Sequence, residues 1–295
     1  MDLFVLGGVG IDTIVRVPGL PLAVTETIHV EPVESYVGHT GHGVALGAHR
    51  LGLRTAFADV IGDDPEGLRI RATYDELGLP FHAVVHPSGT RRAVNLVSPD
   101  GRRLSLYDGR HPAGLRVDPA LWRQHLDGLR HAHVSIMDFA RHALPDLVEA
   151  DCTISTDLHD WDGQNPYHQD FAYAADLVFL STSALTEAVP AERIFANGRA
   201  QLVIATSGAA GSTVFTPDGQ SHHVDAVTLP DRPVVDSNGA GDAYVAAFLA
   251  SWLNDVDPQT AAKTASIAGA WACGSPGTHT DLITADLLSA ASGHP

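Results

Sequence analysis

Short apolar runs alternate along the chain with longer stretches in which apolar side chains recur every three or four residues. The first pattern predicts strands buried on both faces and the second predicts helices lying over them. Their alternation predicts an α/β fold with a central, mostly parallel β-sheet flanked by helices. Leu3–Leu6 reads as the first buried strand. Val44, Ala45, Ala48 and Leu51 fall at helical spacing until Gly52, which can cap that helix, and Thr55–Ile61 follows as a strand. Further strands are predicted at His133–Ile136, Thr153–Asp157, Leu177–Leu180 and Leu202–Ala205. Two stretches, about 13–36 and about 91–107, break this rhythm. Their strand-like residues (Ile14, Val15, Val17, Ile28, Val30, Val33; Val94, Leu96, Val97, Leu104, Leu106) are separated by Pro, Gly and Asp-Gly turn signals. Both leave the α/β pattern and return to it, so they predict one small β lobe, placed as a lid, within a single domain spanning 1–295. Ser289–Pro295 reads as a loose tail.

Composition narrows the function classes. At 295 residues and 44% apolar content the chain can bury a substantial core. Its net charge of −17 repels phosphate polymers over most of the surface, which excludes nucleic acid as a partner. Lys263 is the only lysine and has no glycine-rich turn before it, so a Walker A loop is excluded. Cys152 and Cys273 form no metal or disulfide pattern. Without a leader-like N-terminus or a run of about 18 apolar residues, the expectation is a cytoplasmic protein with no membrane partner.

The sharpest chemical signal is Asp236-Ser-Asn-Gly-Ala-Gly-Asp242-Ala, followed by Val245, Ala246, Phe248, Leu249 and Trp252 at helical spacing. Small residues at Gly239, Ala240 and Gly241 opening a helix leave backbone N–H groups unpaired at its positive end, which suits an anion. Asp242 then stands beside that anion site, where a carboxylate can accept a proton from an attacking hydroxyl. The competing explanation is an acidic residue that merely complements the helix dipole.

That octet, the early Gly8-Val-Gly-Ile-Asp12, the segment Val37-Gly-His-Thr-Gly-His-Gly through Gly52, and Val60-Ile-Gly-Asp-Asp64 occur in an order and spacing that resemble the ribokinase-like (PfkB) carbohydrate kinases across nearly the whole chain. The resemblance implies a β lid over the substrate and ATP-dependent, Mg2+-assisted phosphorylation of the hydroxymethyl group of a sugar. Asp242 then looks like the catalytic base, and the amides of Gly239, Ala240 and Gly241 like the anion hole. Asp12 resembles the carboxylate that accepts hydrogen bonds from two substrate hydroxyls, and Gly38 the first glycine of the substrate loop. Ser207, Gly208 and Gly211 resemble the turn passing the nucleotide, and Ser266 falls where an adenine-side Asn is common. Asp236 is implied as a ligand of a potassium-like cation. Relatives of this kind also suggest a homodimer formed through the lid.

The chain departs from that pattern in places. His39 replaces the second loop glycine, and Gly43 stands where the substrate-binding Asn is usual, so His39 or His42 is expected to supply polar contacts. The Asn-x-x-Glu magnesium motif is missing near 180–184, leaving Glu187 as the nearest acidic side chain for Mg2+. These gaps keep two alternatives open: a nucleoside kinase of the same family, and a weakened sugar- or nucleotide-binding regulator. A dinucleotide-binding oxidoreductase fails, because Thr13 stands where the third glycine is required. Asp138 and Asp157, each near a strand end, are further candidates to line the pocket. His131, His133, His222 and His223 read as scattered surface imidazoles, and Arg91 and Arg92 as a solvated hairpin edge.

Overall fold

The apolar runs pair side by side in a computed structural model that describes residues 1–99 and 102–292. In chain order the strands are β1 (Leu3–Leu6), β2 (Gly10–Arg16), β3 (Glu34–Gly38), β4 (Thr55–Ile61), β5 (Phe81–Val85), β6 (Arg92–Val97), β7 (Arg103–Asp108), β8 (His131–Val134), β9 (Thr153–Asp157), β10 (Leu177–Ser181), β11 (Leu202–Thr206), β12 (Ser212–Phe215) and β13 (Ser221–Val224). Nine of them form the large sheet in the order β13-β12-β11-β10-β9-β8-β1-β4-β5. It is parallel from β11 through β5, and only the β11–β12 and β12–β13 pairs run antiparallel. The second sheet, β3-β2-β6-β7, draws on both stretches that broke the helical rhythm.

Helices cover both faces of the large sheet. They are α1 (Thr40–Arg50), α2 (Pro65–Leu77), α3 (Ala120–Arg123), α4 (Leu144–Glu149), α5 (Gln169–Ala174), α6 (Ala191–Asn197), α7 (Ala240–Trp252), α8 (Pro258–Ala272) and α9 (Ala285–Ala291). Side chains alternate across a strand, so β1 sends Leu3 and Val5 into a core shared with α1, α7 and α8. Phe4 and Leu6 enter a second core with α4 and α5. All four are fully buried, each stabilising by about 1.5–3 kcal/mol relative to exposure. Helix α1 carries glycine where backbones touch: a Cβ at Gly41 would overlap the Gly7 carbonyl, and one at Gly47 would lie 2.7 Å from Ala246 Cβ.

Several expectations are corrected. Ile28, Val30 and Val33 form no strand; they lie in the irregular crossing between β2 and β3, with Val30 and Val33 exposed. The strand expected at 133–136 starts two residues earlier, and His131 and His133 are fully buried on it, held by Thr153 and Ser155 hydroxyls. His222 and His223 are exposed on β13 as expected. Arg91 is no hairpin edge: it is buried in an ion pair with the buried Asp59, whose Oδ2 also accepts from Val9 N–H at 2.6 Å. Arg92 does lie on the exposed side of its hairpin, paired with Glu66 at 2.9 Å. Ser289 belongs to α9 rather than to a tail, while the Asp100-Gly101 turn and residues 293–295 lie outside the described residues. Strands β5, β12 and β13 go unrecognised in the sequence, being short or only partly buried. No helix among the described residues is long and apolar enough to cross a membrane.

Candidate active site

The site lies past the carboxyl ends of the parallel strands, where open α/β sheets bind ligands. Immediately after β1, Gly7 and Gly8 adopt positive φ and let the start of α1 approach closely; His42 N–H donates to the Gly8 carbonyl at 3.0 Å. Strand β2 then carries Asp12, which is buried and accepts from His39 N–H at 3.0 Å. A Cβ at Gly38 would overlap Asp12 Oδ2, so the carboxylate requires glycine there. His39 has φ +69°, a strained value for a side-chain-bearing residue, and swings its ring over Gly10. Its Nε2 lies 3.3 Å from Asp12 Oδ1 without hydrogen-bond geometry and has no partner, and the Tyr107 ring stands 5.6 Å away. Ser135 Oγ, against Gly8 and Gly41, is likewise buried and unpartnered. Buried polar atoms left unpaired in this way mark a place for a polar ligand.

Helix α7 faces this cluster. Its N-cap is Gly239 at φ +78°, with no side-chain cap, and the Ala240 N–H closes a turn onto the Ser237 carbonyl at 3.3 Å. The amides of Gly241 and Asp242 have no acceptor among the described residues, and nothing lies within 4 Å of where a Gly241 Cβ would be. The opening therefore presents free N–H groups at the positive end of a 13-residue helix. Asp242, in the first turn, is buried and accepts a 2.7 Å hydrogen bond from His279 Nε2. The His279 ring lies 5.3 Å from that of His42, whose Nδ1 meets Tyr74 OH at 2.7 Å. Burial pushes His39 and His42 below the usual imidazole range; neighbouring histidines add to this for His42, and Asp12 partly opposes it for His39.

A positive group lies close by. Past β9, His159 has φ +52° and its Nδ1 lies 3.5 Å from Asp157 Oδ2. Burial opposes its charge, but the carboxylates of Asp157, Asp242 and Asp160 outweigh that and push it up to about 9. Asp157 thus pairs with His159, and Asp242 is among the carboxylates that keep that imidazole charged.

The remaining candidates are placed unevenly. Gly208 and Gly211 form the predicted turn between β11 and β12 with positive φ, and Ser207 Oγ accepts from Thr182. Ser266 is buried and donates back to the Ala262 carbonyl at 3.0 Å. Asp138 caps the Gly114 amide and pairs with Arg141 at 3.2 Å, and no contact joins it to Asp12 or Asp242. Glu187 is exposed, and no group of three metal-ligating side chains occurs among the described residues. A magnesium ion here would therefore be held largely by nucleotide phosphates and water. Asp236 does not fit its predicted cation role. Its buried carboxylate is ringed by four N–H donors: Arg16 Nη2 (3.2 Å), Gly277 N (3.4 Å), Asn238 N (3.0 Å) and Asn238 Nδ2 (2.7 Å). A cation needs oxygen acceptors around it, and here the guanidinium supplies the positive charge.

His159 and His279 escaped the sequence reading. His279 sits in a Gly/Ser/Thr-rich loop with no local pattern, and its one trace is a glycine at 43 where a side chain was expected.

Fold and site together define the class. The protein has the ribokinase fold: it superposes on ribokinase from Giardia lamblia with a TM-score of 0.84 over 99% of this chain and 98% of that one, at 18% identity. The chain belongs to the pfkB family carbohydrate kinases, whose family model matches residues 2–285. It is 47% identical over 284 residues to acarbose 7(IV)-phosphotransferase of Actinoplanes sp., covering 96% of this chain and 95% of that protein. It is also 50% identical, with a TM-score of 0.93 and 99% coverage of both chains, to a microbiome-derived acarbose kinase of known structure. The protein is a sugar kinase, a phosphotransferase with a hydroxyl group as acceptor and ATP as the family's donor.

Proposed function

We propose that the acceptor is acarbose, and that Asp242 takes the proton of its reacting hydroxyl. The observation that carries the acceptor is the similarity of 47% and 50% to two acarbose kinases over nearly the whole chain, against 18% to a ribokinase of the same fold. The site supports the chemistry. Asp12 is acceptor-only and His39 Nε2 lies unpartnered beside it, so a sugar hydroxyl between them would satisfy both. Tyr107 offers a ring face next to them. At α7 the amides of Gly241 and Asp242, with Gly239 keeping the approach open, would hold the transferring phosphoryl group. ATP supplies that group when bound, with Mg2+ neutralising its phosphate charge.

Asp242 lies in the first turn behind those amides, where its carboxylate can receive the proton as the acceptor oxygen turns nucleophilic. The second sheet would act as the lid that excludes water. Its strands reach the loop before α7 through Arg16–Asp236 and through Arg103 Nη1, which donates to Asn238 Oδ1 at 2.7 Å. Its edge strand β7 leaves Leu104 and Leu106 exposed, an edge on which a second copy could pair.

The test is ADP release with Mg·ATP against acarbose, simple sugars and nucleosides. Turnover on acarbose is expected, falling by about 10³-fold or more in Asp242→Ala while ATP binding persists. Turnover on nucleosides alone would overturn the acceptor, and an unaffected Asp242→Ala would remove Asp242 from the mechanism.

A further inference from the structure

The imidazole of His279 is wedged between three elements that the reaction requires. On one side is Asp242, 2.7 Å from Nε2. On another is Gly239, the N-cap of α7, where a Cβ would come within 2.6 Å of His279 Cδ2. On the third is Gly43 of α1, where a Cβ would overlap His279 Nε2 and lie 2.6 Å from Asp242 Cβ. His279 is buried and adopts φ +57°, a conformation that a side-chain-bearing residue keeps only where its surroundings hold it there. An ionised carboxylate can only accept, so the ring nitrogen facing Asp242 is the one that carries hydrogen. The other nitrogen, Nδ1, is buried without a partner.

We propose that His279 is a positioning residue for Asp242: its Nε2–H fixes the carboxylate through Oδ2 and leaves Oδ1 to receive the acceptor's proton, and its ring is the reason position 43 is glycine. This rests on the assignment of Asp242 as proton acceptor. The ring occupies the volume that a side chain at 43 would fill, so the polar group missing from α1 is replaced by one from a loop 236 residues further on. The other titratable groups facing this pair are His39 and His42 at the start of α1 and His159 after β9.

The experiment compares the wild-type protein with His279→Ala, His279→Gln, Gly43→Ala and the Gly43→Ala/His279→Ala pair, using acarbose and Mg·ATP. In His279→Ala, kcat is expected to fall roughly 10- to 100-fold with KM little changed. His279→Gln, which can place an amide donor near the same point, should recover most of kcat. Gly43→Ala should lower kcat in the wild-type background and add little once His279 is alanine. An unchanged kcat in His279→Ala, with Asp242→Ala dead, would overturn the inference alone. Activity in Asp242→Ala would instead overturn the reading beneath it. Nitrogen-15 NMR of the His279 ring decides without any substrate: hydrogen on Nε2 is expected, and hydrogen on Nδ1 with a bare Nε2 overturns the proposal.

Discussion

His159 and Asp157 bring opposite charges to the mouth of the site from a single strand end, at an energetic cost to each. The imidazolium is held up to about 9 because the carboxylates around it outweigh its desolvation, and Asp157 is lowered against its own burial by the same partner. A group whose pKa rises on folding stabilises the native state fully below its unfolded value, near 6.5, and loses that contribution as pH rises through the folded value. The window is therefore pH 6.5 to about 9. Thermal midpoints should fall as pH is raised through it, by an amount equivalent to at most about 3 kcal/mol, and His159→Gln should flatten that decline. An equal decline in the variant would take the effect away from this pair. Because Asp242 is one of the carboxylates His159 feels, His159→Gln should also lower kcat below about pH 9, where the wild type carries the cation, and match the wild type above it.

The second sheet joins the large-sheet core through Ile11 and Val37, and polar ties hold it as well. Arg91, at the head of β6, is buried against Asp59 of β4, while Arg16 at the end of β2 and Arg103 on β7 grip the Asp236–Asn238 loop. Kinase rates should be the same in potassium chloride and in tetramethylammonium chloride, because Arg16 supplies the charge at Asp236. Arg16→Ala should lower kcat/KM and make the rate rise with potassium; a potassium requirement in the wild type would show that the carboxylate takes a cation despite Arg16. These long-range pairs explain what the sequence could not show. Local patterns predicted β1, β4, β9, β10 and β11 closely, since a fully buried parallel strand is a continuous apolar run. The motif at 239–242 was legible because glycines and a carboxylate opening a helix are consecutive residues. Arg16 with Asp236, Arg91 with Asp59 and His279 with Gly43 were not, because each joins residues far apart in sequence. The crossing 17–33 carried β-branched residues yet forms no strand, because tertiary context leaves those positions exposed without a partner strand.

Over the whole molecule, the net charge of −17 suggests that acid should help by relieving self-repulsion, but the buried histidines act in the opposite direction. Burial lowers His131 to about 3 and His133, His111 and His125 each to about 4, with the Arg91 guanidinium adding to the effect at His111. A histidine lowered on folding contributes stability that is present above about 6.5, its unfolded value, and is lost as pH falls toward the folded value. Ordinary carboxylates release the surface repulsion only near pH 4, so between 6.5 and 5 the histidines decide the sign. His131 and His133, both fully buried, should each remove up to about 1.4 kcal/mol of stability per pH unit across that interval, and the partly exposed His111 and His125 less. The thermal midpoint should therefore drop steeply from pH 6.5 to 5. His125 is the best site for a test, because its ring stacks on Phe4 at 4.6 Å, meets His82 edge-on, and has no partner at Nε2. His125→Leu keeps that apolar contact and removes one titrating group, so its stability against urea should fall less steeply with acid than that of the wild type. A slope identical to the wild type's would mean that His125 is protonated equally in the folded and unfolded chain, and that the acid sensitivity arises from the carboxylate pairs.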